Sequence, residues 1–197
     1  LKVGKTIPHY LTMTATPIPR SLTEVVFGSV DVSTIKEKPK MQKDVITKYV
    51  PYYKREDCFK WVNEKIKESN FKQQAFIVYP LIEESYSLDA KAVLTEFQNL
   101  KNIYFKDINI ELMHGRLKEK EKADILEKFR KKEINVLVST SVIEVGIDMP
   151  DATIMIIEDA HRFGLAQLHQ LRGRVGRGEI ESYCFVIPSK NEEKNPE

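Results

Sequence analysis

A short stretch near the end of the chain, Gln170–Gly178, reads QLRGRVGRG and interleaves arginine with glycine. From Ala160 to Gly178 there are four arginines and no Asp or Glu, so the positive charge is not balanced locally. Arginine carries a rigid fork of donors that suits phosphate oxygens, and glycine allows a close approach to the main chain. In helical or turn geometry, the i, i+3 spacing of Arg174 and Arg177 points both side chains the same way. A basic helix end that complements the helix dipole is the simpler alternative, but it does not require these glycines, so we expect the pair to bind a polyanion.

Two other segments follow predicted strands. Ser139–Asp148, with the sequence STSVIEVGID, offers hydroxyls and helix N-terminal amides that can hold a phosphate. In the same segment Gly146 allows close backbone approach, and Asp148 can accept from a ribose hydroxyl. Taken alone, the segment is more simply a helix cap followed by a turn. The pair His114-Gly115 also follows a predicted strand and, taken alone, is more simply a turn.

The elements that must position these residues alternate along the chain. The predicted strands are Val45–Val50, Gln74–Tyr79, Asn109–Met113, Asn135–Val138, Thr153–Ile157 and Tyr183–Ile187. The predicted helices are Arg55–Asn70, Leu88–Leu100, Lys118–Lys132 and Leu165–Leu171. Alternating strands and helices of this length indicate a parallel sheet covered on both faces. We therefore expect a three-layer α/β domain, in which the segment that begins at Ser139 is well placed to bind a ligand at the carboxyl end of its strand.

Composition excludes several classes of function. The 197 residues carry a net charge of +2, with 42% hydrophobic and 30% charged residues, as in ordinary soluble proteins. A charge this small does not indicate nucleic-acid binding, so a basic site must come from local clustering. Cys58 and Cys184 lie far apart and have no ligand-like spacing to the histidines, so we expect no disulfide framework and no metal site. No apolar run approaches membrane-spanning length and no signal-peptide pattern is present, which predicts a cytoplasmic protein without a membrane partner.

The beginning of the chain differs from the rest. Gly4-Lys5-Thr6 looks like the end of a phosphate-binding loop, but only three residues precede it and Pro8 soon follows, so the loop is incomplete. We expect residues 1–30 to be the tail end of another domain and residues 31–44 to be a lysine-rich linker. Residues 45–190 then form the α/β domain, and residues 191–197 form a solvated tail.

Taken together, the motifs resemble those of a known family. TATP (Thr14–Pro17), STSVIEVGID (Ser139–Asp148) and QLRGRVGR (Gln170–Arg177) are similar in order and spacing to motifs III, V and VI of superfamily 2 helicases. The longer stretches that resemble RecG-type DNA helicases are TATPIPRSL, VYPLIEES, MHGRLK and RFGLAQLHQLRGRVGRG. The resemblance extends over residues 10–190.

This resemblance implies a fold and a set of site residues. The fold is a RecA-like, P-loop-type lobe without its own P-loop, preceded by the end of a first lobe that carries motif III. That first lobe binds most of the ATP and Mg²⁺. The implied catalytic residues are Arg174, Arg177 and Gln170, and those near the nucleotide are Gly146, Asp148 and Gly173. The residues implied to face the nucleic acid are Ser139, Thr140, His114 and Gly115, and those that couple the two sites are Thr14, Thr16 and Arg20.

The resemblance also implies an activity and partners. It predicts an ATP-dependent motor that remodels stalled replication forks and branched DNA in recombination and repair. Its partners are branched or forked DNA and, within the same chain, a first RecA-like lobe and a wedge domain, and the protein is expected to be a monomer. The 197 residues alone are expected to be inactive. The alternatives are an Mfd-like transcription-repair translocase, an RNA helicase, and a non-catalytic module that binds nucleic acid or a protein partner.

Overall fold

The computed structural model describes residues 11, 33, 43–80, 86–140, 149 and 151–191, and for residues 86–92 it describes the backbone alone. The chain divides into two units, Leu1–Glu37 and Lys38–Glu197. All strands and helices given below belong to the second unit.

Within the described residues, six strands form one sheet in which every pair is parallel. The strands are β1 (Val45–Tyr49), β2 (Gln74–Val78), β3 (Ile110–Met113), β4 (Val136–Ser139), β5 (Ala152–Ile157) and β6 (Ser182–Val186). Their order across the sheet is β1-β6-β5-β2-β4-β3. Because all strands run the same way, they end at one side of the sheet, the carboxyl edge, and begin at the other, the amino edge. The predicted parallel α/β architecture is confirmed.

Burial follows the position of each strand in the sheet. Strands β2, β4 and β5 are buried at every residue and consist mainly of apolar, often β-branched residues, as expected for strands covered on both faces. Strand β1 is an outermost strand of the sheet, with a neighbour on one side only, and its last three residues, Thr47–Tyr49, are exposed. The sequence TKY is therefore polar enough for an open strand.

Helices cover both faces of the sheet. They are α1 (Arg55–Glu68), α2 (Tyr86–Asn99), α3 (Glu119–Arg130) and α4 (Leu165–Arg172). The α1 stripe of Phe59, Val62 and Ile66 packs with Phe97 of α2 against one face, which we call the first face. Phe129 of α3 and Leu171 of α4 pack against the second face. Side chains of a strand alternate between these two cores, as Ile77 and Phe76 of β2 do.

The ends of β4 and α2 differ from the sequence prediction. Ser139 is the last residue of β4 rather than the first residue after it, because it pairs with Met113 of β3 and Val78 of β2. Helix α2 ends in a π-helical turn, Leu100–Tyr104, in which Leu100 is fully buried and Ile103 is exposed. Among the residues that the structure describes, no helix is long and apolar enough to cross a bilayer.

Candidate functional site

The two arginines singled out in the sequence lie in a turn directly after α4. The helix ends at Arg172, and the N–H of Arg174 donates to the carbonyl of Leu171 at 3.0 Å. We call residues 173–177 the arginine turn. Leu171 and Val175 are buried in the core of the second face, so apolar packing holds the turn in place. Arg174 is half-buried and Arg177 is exposed.

The two guanidinium groups act on each other. The pKa of Arg174 is lowered, first by burial and then by the positive charge of Arg177. Like charges repel each other, and an anion that binds near both would relieve that repulsion. The arrangement therefore fits a polyanionic ligand such as a nucleotide phosphate.

Gly176 is required by the local structure of the turn. Its φ is +78°, and a Cβ at this position would lie 2.4 Å from Cγ2 of Val45 and 3.6 Å from Cβ of Ser182. Any other residue would be strained in its backbone and would clash with the first residue of β1. The sequence analysis explained the glycines of this segment by a close approach of a ligand to the main chain, whereas packing within the lobe already accounts for Gly176.

The remaining predicted residues of this segment lie nearby on the surface. Gln170 is in the last turn of α4 and is exposed, and Gly173 follows the helix with its N–H donating to the carbonyl of His169 at 3.1 Å. A Cβ at Gly173 would meet two backbone oxygens at 3.4 Å, the short end of ordinary van der Waals contact, so packing alone does not require glycine there. Both residues lie beside the arginine turn.

The residues predicted to contact nucleic acid come together at the carboxyl edge. Met113 of β3 pairs with Ser139 of β4, so His114 and Thr140 leave neighbouring strands at the same level. The N–H of Thr140 donates to the carbonyl of Met113 at 3.3 Å, which ties the two strand ends together. Gly115 follows His114 in an exposed turn, and a Cβ there would have no neighbour within 4 Å.

Exposure divides this group of four. Ser139 and Thr140 are buried, at 2% and 5% relative exposure, whereas Gly115 is exposed and His114 is half-buried. The Nδ1 atom of His114 is buried and makes no hydrogen bond within the described part of the chain. The surface that a ligand meets at these two strand ends is therefore the His114-Gly115 turn, and the contribution of Ser139 and Thr140 stays a prediction.

The structure thus shows two separate groups of residues. The arginine turn packs on Val45 and Ser182, the first residues of β1 and β6, and so lies at the amino edge. The His114-Gly115 turn lies at the carboxyl edge. Met149, the residue that follows the predicted motif V segment, is buried in the same core as Leu171 and Val175.

Several predicted site residues lie outside the described residues. These are Gly146 and Asp148, assigned to the nucleotide, and Thr14, Thr16 and Arg20, assigned to coupling. Their roles stay predictions.

Sequence reasoning missed a partly buried polar cluster at the carboxyl edge. The Nε–H of Arg55 donates to both carboxylate oxygens of Glu158 at 3.0 Å. One terminal N–H group of the same guanidinium donates to the hydroxyl of Tyr79 at 3.2 Å and to a carboxylate oxygen of Glu96 at 3.0 Å. The guanidinium of Arg55 also lies over the ring of Phe59, with its carbon atom 4.8 Å from the ring centroid. We call these four polar residues, Arg55, Tyr79, Glu96 and Glu158, the Arg55 cluster.

Electrostatics in the Arg55 cluster are strongly perturbed. Burial raises the pKa of Glu158 to about 7, and the charge of Arg55 acts against that rise. Burial lowers the pKa of Arg55, but Glu158, Tyr79 and Glu96 together more than reverse this, so its pKa lies above the ordinary value. Burial also raises the pKa of Tyr79. The guanidinium therefore stays charged, and Glu158 is the member that changes its protonation near neutral pH.

One signal in the sequence could have found this cluster. Glu158 comes directly after the apolar strand β5, and Arg55 opens the helix that follows β1. Charged residues next to buried strands are seldom left unpaired. The partner of each, however, is far away in the sequence.

Comparison with known proteins supplies the context for these sites. The helicase conserved C-terminal domain family matches residues 57–179. The ATP-dependent DNA helicase RecG of Aquifex aeolicus is 50% identical over 198 aligned residues, which cover 99% of this chain and 24% of that protein. The RecG of Bacillus subtilis is 44% identical over 190 residues, covering 96% of this chain and 27% of that protein. This chain therefore spans about a quarter of the length of these relatives.

Solved structures agree with this comparison. A structure of RecG bound to a three-way DNA junction is 41% identical with a TM-score of 0.72, covering 91% of this chain and 23% of that one. Domain 2 of the DEAD-box helicase Mss116p is 22% identical with a TM-score of 0.57, covering 75% of this chain and 55% of that one, and it shares the fold alone. The parallel sheet, its covering helices and the matched segment lead to one conclusion: the chain belongs to the helicase conserved C-terminal domain family.

Proposed function

We propose that this chain is the second motor lobe of an ATP-dependent DNA helicase or translocase that remodels branched DNA, including stalled replication forks, in recombination and repair. The relatives that are 44% and 50% identical are RecG helicases, and the RecG structure that resembles this chain holds a three-way DNA junction. These similarities support DNA rather than RNA as the partner. The proposal concerns a longer protein, of which this lobe is one part.

The observation that carries the proposal is the pair of guanidinium groups on the arginine turn. Arg174 and Arg177 are close enough for the charge of one to lower the pKa of the other, and Gly176 fixes the turn that holds them. In phosphoryl transfer, an arginine supplied by a second domain stabilises the charge that develops on the transferred phosphate. Arg174 and Arg177 fit this role, with Gln170 and Gly173 beside them.

The nucleotide itself is bound mainly by the first lobe in this proposal. Bound ATP supplies the phosphoanhydride bond, and Mg²⁺ supplies the charge that screens its phosphates. This lobe contributes the arginine fork, and Gly146 and Asp148 lie near the ribose. The 197 residues contain no complete G-x-x-x-x-G-K-[ST] sequence, so we expect them to hydrolyse no ATP on their own.

DNA contacts are assigned to the carboxyl edge. His114 and Gly115 form its exposed turn beside the end of β4, and Ser139 and Thr140 stand at that strand end. Backbone amides and small polar side chains commonly contact phosphates without reading base sequence, which suits a motor that moves along DNA. Thr14, Thr16 and Arg20 couple this site to the nucleotide when the two lobes close.

The experiment is an activity assay of the full-length protein that carries this lobe. We expect forked DNA to stimulate its ATP turnover and to be unwound or regressed when ATP is supplied. The 197-residue chain, tested in parallel, is expected to show no turnover above a control without protein. Absence of DNA-stimulated turnover in the full-length protein contradicts the proposal, and stimulation by RNA duplexes alone contradicts the choice of DNA.

A further inference from the structure

The Arg55 cluster joins parts of the lobe that are distant in sequence. Arg55 begins α1, Tyr79 follows β2, Glu96 lies in α2 and Glu158 follows β5. The side chains of Arg55 and Glu158 are 13% and 4% exposed, so their contact is shielded from water. A single planar guanidinium thus fixes the geometry between one helix end, two strand ends and a second helix.

The cluster lies directly against the proposed DNA-contacting edge. The backbone N–H of Tyr79 donates to the carbonyl of Ser139 at 2.9 Å. The backbone N–H of Glu158 donates to the carbonyl of Val78, the residue before Tyr79, also at 2.9 Å. One short series of contacts therefore runs from the end of β4 through Tyr79 to Arg55 and Glu158.

From Glu158 the chain itself leads on to the arginine turn. Asp159 follows Glu158 and has a φ of +47°, an uncommon conformation for a residue other than glycine. The short helical turn Ala160–Arg162 comes next, and the N–H of Ala160 donates to the carbonyl of Ile187 at 3.0 Å. Helix α4 then begins at Leu165 and ends at the arginine turn. Along the chain, Glu158 of the cluster therefore precedes the helix that carries the arginine turn.

Stability alone is a poor reason for such a cluster. Removing two charges from water is costly, and well-packed apolar residues of similar volume are often as stable or more so. A buried ion pair can instead serve to select one conformation among several, and we apply that explanation to the Arg55 cluster. Asp159, next to the cluster, has a left-handed backbone conformation, which Asp adopts more readily than most residues other than glycine.

We propose that Arg55 is a positioning residue that couples the DNA-contacting edge to the arginine turn, by holding Tyr79 and Glu158 in one fixed relation. This inference rests on the proposed function and adds to it the residue that links the two sites. When DNA binds at the ends of β3 and β4, the position of Tyr79 is set through Ser139. Because the Arg55 guanidinium binds both Tyr79 and Glu158, a shift of Tyr79 also shifts Glu158. Glu158 follows β5, and the chain continues from there into α4.

Lysine at position 55 tests the fork and keeps the charge. A lysine ammonium is a point donor that cannot hold Glu158, Tyr79 and Glu96 in one plane. In the full-length protein, we expect Arg55→Lys to lower the stimulation factor, defined as ATP turnover with forked DNA divided by turnover without DNA. The expected loss is about tenfold, within the range typical of coupling between two sites.

Ile66→Val supplies the matched control. Ile66 lies on the same helix and is fully buried in the apolar core. It takes part in none of the hydrogen bonds of the Arg55 cluster given above. Its replacement weakens the packing of α1, and the stimulation factor is expected to stay within about twofold of the unmodified value. A purely structural role of Arg55 predicts that both variants lower the factor in proportion to their loss of stability, and that result would overturn the proposal.

Tyr79→Phe serves as a second variant if Arg55→Lys does not fold. It removes only the hydroxyl that accepts from Arg55, so we expect a smaller loss of the same factor. Where both single variants fold, the double variant should lose no more than Arg55→Lys alone, because both changes break one chain of contacts. If the stimulation factor of Arg55→Lys is unchanged, the coupling role of Arg55 is wrong but the proposed function still stands. If the unmodified full-length protein shows no DNA-stimulated turnover, the proposed function itself is wrong.

Discussion

The Nε–H of Arg55 donates to both carboxylate oxygens of Glu158 at 3.0 Å, and the two residues are 103 positions apart in the chain. A local sequence pattern cannot reveal such a contact, yet it links α1 to the end of β5. Burial raises the pKa of the Glu158 carboxyl group to about 7, although the charge and hydrogen bonds of Arg55 act to lower it.

The stability of the lobe should therefore depend on the protonation of Glu158. With a native pKa of about 7 against an ordinary 4.5, the folded carboxyl group binds its proton more tightly than the unfolded one. The native state then carries more protons between these pH values, so this group lowers the free energy of unfolding as the pH rises from 4.5 to 7. The loss amounts to about 3 kcal/mol and is complete above that window.

The measurement is urea unfolding of the chain at several pH values across that window, compared with Glu158→Gln, which cannot titrate. The unmodified chain should lose stability relative to this variant as the pH rises. Asp159 and Glu96 add to the rise in the pKa of Glu158, and Arg55 opposes it. A relative stability that increases with pH would mean that the ion pair with Arg55 outweighs burial.

Gly176 should tolerate no side chain. Gly176→Ala forces a Cβ into a backbone with φ of +78° and against Val45, so we expect a loss of at least about 2 kcal/mol in the free energy of unfolding. Gly115→Ala is the matched control, because a Cβ there meets nothing within 4 Å, and it should change stability by less than about 0.5 kcal/mol. Equal stabilities of the two variants would show that the turn is not constrained as described.

The exposed turn at the carboxyl edge should be sensitive to negative charge. In the full-length protein, Gly115→Asp places a carboxylate where we assign a DNA phosphate, so we expect DNA affinity to fall about tenfold at low salt. Gly115→Ala should bind within about twofold of the unmodified protein, since it adds volume without charge. Fluorescence anisotropy with labelled forked DNA measures both. Equal affinities for the Asp and Ala variants would remove Gly115 from the proposed DNA-contacting surface.

Local sequence signals predicted most of the fold. Apolar β-branched runs became strands, and the spacing of Phe59, Val62 and Ile66 placed a helix whose stripe is buried. Such patterns are readable because burial repeats with the period of each element. The boundaries moved by a residue or two, and the shift at Ser139 depended on its pairing with Met113.

The candidate site was only partly readable in this way. Arg174 and Arg177 stand out because arginine next to glycine is a local pattern. Gly176, in contrast, is required because it packs against Val45, which lies at the other end of the domain's sequence. The Arg55 cluster likewise depends on strand order, which brings the end of β2 next to the end of β5. Contacts set by topology leave little trace in any short window of sequence.

Single-turnover ATP hydrolysis on forked DNA by the full-length Arg177→Ala variant measures what the arginine turn contributes to the reaction. If the arginine turn completes the nucleotide pocket, hydrolysis should slow by about 10³–10⁵-fold while DNA affinity is retained. Arg130→Ala, which removes an exposed arginine at the end of α3, is the matched control and should hydrolyse at nearly the unmodified rate. Hydrolysis by Arg177→Ala within about tenfold of the unmodified rate, where the loss of an arginine finger costs far more, would contradict a nucleotide pocket completed by this pair of guanidinium groups.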